Sequence, residues 1–349
     1  MNRLEALVRE EIERDGPIPV ARWMQLCLLH PEHGYYTTRR PIGAATGDFV
    51  TAPEVSQMFG ELVAVWAASV APEPFALVEC GPGRGTLARD MVRVLRATGR
   101  DVELHLVEAS PSLRAEQRET LGPVRAAWHD TATAAFAATD RPLVLVANEF
   151  LDALPARQFV RRDGAWRERA VGVVDGRMAF VLAPGTLDAP AAPDGTVREI
   201  APAREAWVAE VAQAVRARGA AALLVDYGSL QGGTGDTLQA VRAHRFADPL
   251  EAPGEADLTT QVDFAPLLAA AKAEGCAVAA TTQGAFLLSM GLLQRAGRLG
   301  HAHPDRQERL QADVERLAGP DAMGDLFKVA ALWHPDRSPP PGFSEGTPS

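Results

Sequence analysis

The chain has 349 residues, 47% of them hydrophobic and 23% charged, with a formal net charge of −10. That is enough chain for one large core with additions or for two domains, and the acidic balance argues against bulk nucleic-acid binding, which needs many phosphate charges neutralised. Cys27, Cys80 and Cys276 are odd in number and far apart, so neither a disulfide framework nor a zinc site is expected, and a reducing compartment fits.

The N-terminus, MNRLEALVREEIERDG, carries several acids and lacks an apolar core. It therefore predicts neither a signal peptide nor a transit peptide. No apolar run reaches the length of a membrane span. These features predict a cytoplasmic protein. Leu4, Leu7, Val8 and Ile12 fall at helical spacing, ARWMQLCLLH reads as a second helix, and residues 31–51 read as a long loop rich in turn signals. A further helix is expected from about Pro53 to Ser69.

From Phe75 onward, apolar runs alternate with helix-like segments. The runs are FALVEC, VELHLVEA, VRAAWH, PLVLVANE, AALLVDYG, CAVAATTQ and FKVAALW. Strands buried on both faces lack polar alternation, and their regular interleaving with helices predicts a doubly wound α/β sheet. Between the fourth and fifth runs, Asp163-Gly164 and Asp175-Gly176 are hairpin signals, which predict an inserted antiparallel meander. Its arginines, Arg157, Arg161, Arg162, Arg167 and Arg169, read either as a solvated hairpin face or as a dock for an acidic partner. The C-terminal DRSPPPGFSEGTPS has the composition of a disordered tail.

LVECGPGRGTLARDM follows the first strand of this region and opens a helix. Gly81, Gly83 and Gly85 let the backbone turn sharply and approach a ligand beside free helix N–H groups. Glu108 ends the second strand, where an acid can accept the hydrogen bonds of a ribose. Each feature has a plainer reading, a tight turn for the glycines and a helix-start residue beside Ser110 for Glu108. Together they indicate an adenosine-containing cofactor. Thr86 occupies the third glycine position of the dinucleotide fingerprint, and no P-loop is present. The only lysines, Lys272 and Lys328, offer no tyrosine–lysine dyad for hydride chemistry. Glu79 just before the glycines, with Glu108, suits a positively charged cofactor, S-adenosyl-L-methionine.

VECGPGRGTLA, GDFVTAPEVSQMFGEL (Gly47 to Leu62), NEFLDALP (Asn148 to Pro155), the long stretch from Asp236 to Phe264 and MGDLFKVAALW (Met323 to Trp333) together resemble the MidA-like family of class I methyltransferases. The resemblance covers nearly the whole chain except about the last fifteen residues. It implies a Rossmann-like sheet of seven strands with the last antiparallel, an N-terminal helical cap, and S-adenosyl-L-methionine as methyl donor. The family includes a mitochondrial complex I assembly factor that methylates a protein arginine. The corresponding division of the chain is residues 1–72 as helical cap and active-site loop, 73–334 as methyltransferase core with an insertion at 156–200, and 335–349 as tail. A protein substrate is expected, with no nucleic-acid or membrane partner; a homodimer is left open.

Asn148 and Glu149 end the fourth strand, where doubly wound sheets bind their ligands. A carboxylate there can grip a guanidinium bidentately and polarise one nitrogen. Glu149 is the first candidate and Asp152 the second; the plainer reading caps a following helix with Asn148 and places both acids in its first turn. Thr51 and Glu54 are spaced as a capping box, while the resemblance implies that this segment folds over the cofactor, so that Thr51, Glu54 and Gln57 line the pocket. Trp128 and Asp130 follow the third strand, where adenine sits in such folds. Tyr35 and Tyr36 could wall a cation or simply pack, and His244 could move a proton or simply lie at the surface. His301 and His303 lack acidic or cysteine neighbours, and no metal is expected. The competing readings are a methyltransferase for a small molecule, a cofactor-binding assembly chaperone without turnover, and a nucleotide-dependent oxidoreductase.

Overall fold

In a computed structural model of the chain, residues 2–38, 51–219 and 221–343 are described. A central sheet is built from β1 (Phe75–Cys80), β2 (Val102–Val107), β3 (Ala127–His129), β4 (Leu143–Asn148), β5 (Ala221–Ser229), β6 (Ala277–Thr282) and β7 (Phe327–Trp333). Their spatial order is β6-β7-β5-β4-β1-β2-β3. β7 runs antiparallel to β5 and β6, and the remaining pairs are parallel. The short strand Val262–Asp263 adds to the end of β5.

The apolar runs are explained by two core layers. On β4, Val144 and Val146 pack into one layer and Leu143, Leu145 and Ala147 into the other. Helices Gln57–Val70 and Thr86–Ala97 cover the first face, and Pro202–Arg218 and Phe264–Ala273 cover the second. With both faces covered, alternating polarity has no role.

A third core joins the N-terminal helices Arg3–Asp15 and Val20–Leu29 to the insertion, through Leu4, Val8, Trp23, Met24 and Val171 among others. Ile18–Pro19 pairs with Val171 and Ala170 of the meander. The meander strands Arg157–Arg162, Ala165–Val174 and Arg177–Ala183 turn where expected, at Asp163-Gly164 and Asp175-Gly176, all four residues having positive φ. Among its arginines, Arg157 is paired with Glu168 at 2.7 Å and Arg169 with Asp236 at 2.6 Å, while Arg162 and Arg167 are exposed.

Four local expectations differ from the observed backbone. Within residues 31–51, expected as a loop, Tyr35–Thr38 form a short helix, and residues 39–50 lie outside the described residues. The helix expected from Pro53 is two helices, Ala52–Val55 and Gln57–Val70, broken at Ser56, whose extended backbone (φ −156°) lets its hydroxyl accept from the Met58 N–H. No helix follows β4; residues 149–154 form turns. In the tail, Phe343 packs on Phe286 with ring centroids 5.7 Å apart and Pro340 is buried, so 335–343 are part of the fold. Residues 344–349, and Gly47–Val50 of the quoted GDFVTAPEVSQMFGEL stretch, lie outside the described residues. Among the described residues no helix is long and apolar enough to cross a membrane.

Candidate active site

The loop after β1 turns through Gly81 (φ 66°), Gly83 (52°) and Gly85 (83°). A Cβ on Gly81 would lie 2.9 Å from the Phe150 ring, so a side chain is excluded by space as well as by backbone conformation. This loop, the end of β4 and the Thr51–Glu54 segment enclose one cavity, with Thr51, Glu54, Glu79, Gly81, Gly83, Asn148 and Glu149 in its wall.

Two buried oxygens of that wall have no hydrogen-bond partner among the described residues, Oε2 of Glu79 and Oδ1 of Asn148. Buried acceptors are ordinarily paired, so both mark places for a donor that comes with a ligand. Burial pushes the Glu79 carboxyl up to about 8, against the amide of Ala88. A cationic ligand would relieve that penalty. The glycine cradle and the unsatisfied acid together fit the amino-acid portion of S-adenosyl-L-methionine.

Beside the glycine loop lies a second ordered polar group. Glu108 Oε1 accepts from the Ser110 N–H at 2.8 Å and Oε2 from Gln117 Nε2 at 3.1 Å. The same Gln117 amide donates to the Gly83 carbonyl at 2.8 Å, and its Oε1 accepts from the Trp128 indole at 2.8 Å. Gln117 is fully buried and ties glycine loop, Glu108 and Trp128 together. Burial raises the Glu108 carboxyl, opposed by the donors from Ser110 and Gln117 and the charge of Arg114.

Glu149 sits at the bend after Asn148 with φ 52°, a left-handed conformation unusual for a residue with a side chain. Its Oε1 accepts from the Ala52 amide at 3.2 Å and from Asn148 Nδ2 at 3.1 Å. Burial first, then the charge of Asp152, pushes its carboxyl up to about 7, against these two donors. A carboxylate that titrates near neutrality suits proton transfer.

Behind it lies a buried polar group. Asp152 is raised by burial, opposed by a hydrogen bond from Tyr227 and the charge of Arg204. Tyr36 donates to Asp257 at 2.9 Å, and Asp152 also acts on its hydroxyl. Arg204, almost fully buried, clasps the carbonyls of Asp152, Leu154 and Gln261 at 3.0 Å and the hydroxyl of Thr260 at 2.5 Å.

The expected site residues thus fall into separate places. Thr51, Glu54, Glu79, Gly81, Gly83, Asn148 and Glu149 share the cavity. Glu108 and Trp128 join it through Gln117, and Gly85 begins the following helix as its N-terminal cap. The capping box is not formed: the Thr51 side chain makes no cap bond, and Glu54 accepts instead from the Thr86 hydroxyl and pairs with Arg84 at 3.5 Å. Gln57 is exposed on its helix. Asp130 is exposed and paired with Arg114 at 2.6 Å. His244 occupies an exposed hairpin turn between strands Gln239–Arg242 and Arg245–Ala247, outside the cavity wall. Tyr35 is fully buried, a packing residue. Gln117, Arg204 and Asp226 were not anticipated. Asp226 had a signal, because it breaks the apolar run of β5 just as Glu149 follows that of β4; Gln117, inside a polar helix, had none.

A doubly wound sheet with a glycine loop after its first strand, an acid on the second and an acid at the end of the fourth defines an adenosine-cofactor transferase site. A family model described as putative S-adenosyl-L-methionine-dependent methyltransferase matches residues 60–282. A Drosophila melanogaster protein arginine methyltransferase NDUFAF7 homolog, mitochondrial, is 35% identical over 97% of this chain and 87% of its own length. The Homo sapiens protein arginine methyltransferase NDUFAF7, mitochondrial, is 34% identical over 92% and 81%. The solved structure of a likely methyl transferase from Burkholderia thailandensis, bound to S-adenosyl-homocysteine, superposes with a TM-score of 0.88 at 31% identity, covering 99% of this chain and 95% of that one. The chain belongs to this family of S-adenosyl-L-methionine-dependent methyltransferases.

Proposed function

We propose that the acceptor is an arginine side chain of a protein and that Glu149 holds it. The observation that carries this reading is the acid at the end of β4 and in the buried group behind it. Glu149 lines the cavity, Asp152 and Asp226 lie behind it, and Asp257 adjoins through Tyr36. Such an environment favours a cation and disfavours an anionic acceptor. The names carried by the curated relatives point the same way.

S-adenosyl-L-methionine supplies an electrophilic methyl group on a sulfonium. Glu79, Glu108 and the glycine loop would hold it, with Gln117 fixing the loop to Glu108. A guanidinium, protonated at any pH near neutral, is a poor nucleophile while its charge is delocalised. The Glu149 carboxylate can accept two of its N–H bonds, localise the positive charge and leave one nitrogen free to attack. Asn148 Oδ1 offers one further acceptor. As a guanidinium nitrogen bonds to the methyl carbon, the S–CH3 bond would break to leave S-adenosyl-homocysteine, and the proton displaced from that nitrogen passes to Glu149, whose carboxyl burial pushes up to about 7. We place this reaction in the cytoplasm, in keeping with three buried, unpaired cysteines.

The test is transfer of label from methyl-labelled S-adenosyl-L-methionine into an extract of cells that lack the gene. Acid-precipitable label supports the reading. Label confined to the soluble small-molecule fraction supports the competing one.

A further inference from the structure

Asp226 is fully buried and stands behind the cavity wall rather than in it. Its Oδ2 accepts three consecutive backbone amides, from Phe150 at 3.2 Å, Leu151 at 2.9 Å and Asp152 at 3.2 Å. Its Oδ1 accepts from the Tyr227 amide at 2.9 Å. Three successive N–H groups converging on one point are what a helix N-terminus presents, yet no helix follows here. One side chain from the neighbouring strand takes all three.

The residue just before those amides is Glu149, held at φ 52°. Its own N–H donates to the Val225 carbonyl at 2.8 Å. Two adjacent residues of β5, Val225 and Asp226, therefore fix the backbone on both sides of Glu149. A left-handed conformation in a residue with a side chain persists only where its surroundings impose it. The far end of the turn is anchored separately, because Arg204 and the Thr260 amide hold the carbonyls of Asp152 and Leu154.

We propose that Asp226 is a positioning residue for methyl transfer: by gathering the amides of Phe150, Leu151 and Asp152 it keeps Glu149 in the left-handed conformation that turns its carboxylate to the cavity. This rests on the role of Glu149 proposed above. The charged groups that face Asp226 are Asp152, Glu149 and Arg204.

Two measurements decide the matter. The first needs no substrate: hydrogen exchange of the 149–155 segment in Asp226→Ala and Asp226→Asn, with the β5 amides as an internal control of folding. Amides 150–152 should lose protection by tenfold or more in Asp226→Ala, and by less in Asp226→Asn, while β5 stays protected. Unchanged protection at 150–152, or uniform loss across the sheet in both variants, overturns the proposal.

The second is a double-mutant cycle on label transfer to the extract, with S-adenosyl-homocysteine affinity measured in parallel. If Asp226 acts through Glu149, Asp226→Asn slows transfer at unchanged cofactor affinity, and adding it to Glu149→Gln slows transfer no further. Losses that multiply in the double variant contradict the positioning role. Full activity of Glu149→Gln sinks the reading of Glu149 itself, a different result from either, and the exchange experiment still judges the clamp.

Discussion

Glu149→Gln is the substitution with the most to say, because it removes a charge and little else. Both donors to Oε1, the Ala52 amide and Asn148 Nδ2, find a carbonyl oxygen in the variant, so the turn should persist. Stability and activity should then move in opposite directions. Burial pushes the folded carboxyl up to about 7 from the 4.5 of an exposed glutamate, so the folded state binds the proton more tightly than the unfolded chain does. The stability this gives is complete below 4.5 and is lost as the pH rises through 7. That interval corresponds to about 3 kcal/mol. Glutamine cannot ionise. Relative to the native protein, the variant should therefore gain stability between pH 5 and pH 8 by about that amount, seen as a rise of several degrees in Tm. Methyl transfer should fall by about 10²–10⁴-fold, the range for a lost acid–base or electrostatic group. Cofactor affinity should hold if, as proposed, Glu79, Glu108 and the glycine loop carry those contacts. Melting curves from pH 5 to 9, calorimetry with S-adenosyl-homocysteine and label transfer on the same preparation test all three. A difference in Tm that does not vary with pH, or full turnover, would refute the reasoning.

Further outcomes follow for the cofactor end. Gly81→Ala puts a Cβ 2.9 Å from the Phe150 ring at a φ of 66°, so calorimetry should show cofactor affinity reduced by at least about tenfold. Glu108→Ala should weaken binding by about 1–3 kcal/mol through the lost charged hydrogen bonds, measured by the same titration. Glu79 carries a carboxyl raised to about 8 by burial, so binding of a cationic cofactor should release a proton. Affinity should rise with pH up to about 8 and then level off, and Glu79→Gln should flatten that dependence.

Each of the seven runs is a strand, and the central ones were the most legible because burial on both faces leaves near-continuous apolar sequence, as in residues 143–147 and 221–225. The glycine loop was legible as a sharp turn because positive φ at three positions in five residues favours glycine. What escaped notice depends on contacts distant in sequence. The break at Ser56 was hidden because the hydrophobic spacing of Met58 to Ala67 continues without a gap. The hairpin at Ala243-His244 has positive φ at both residues without the glycine that usually announces one, so His244 could be read as a site residue instead of a turn. NEFLDALP shows a different limit. Its acids have the spacing of a helix start, but no helix forms, and the amides of 150–152 are taken by the side chain of Asp226, 74 residues beyond Asp152. Gln117 lies on a polar helix, and nothing local marks it as the link between Glu108, Gly83 and Trp128.

The central claim is that this chain methylates arginine in a protein at the Glu149 carboxylate. It is tested most directly by identifying the labelled residue. Polypeptide labelled by the purified chain is hydrolysed, and the label is assigned by chromatography and mass spectrometry, with Glu149→Gln run alongside. The native protein should give methylarginine, and the variant a yield lower by about 10²-fold or more. Label on another amino acid, or methylarginine in equal yield from Glu149→Gln, would contradict it.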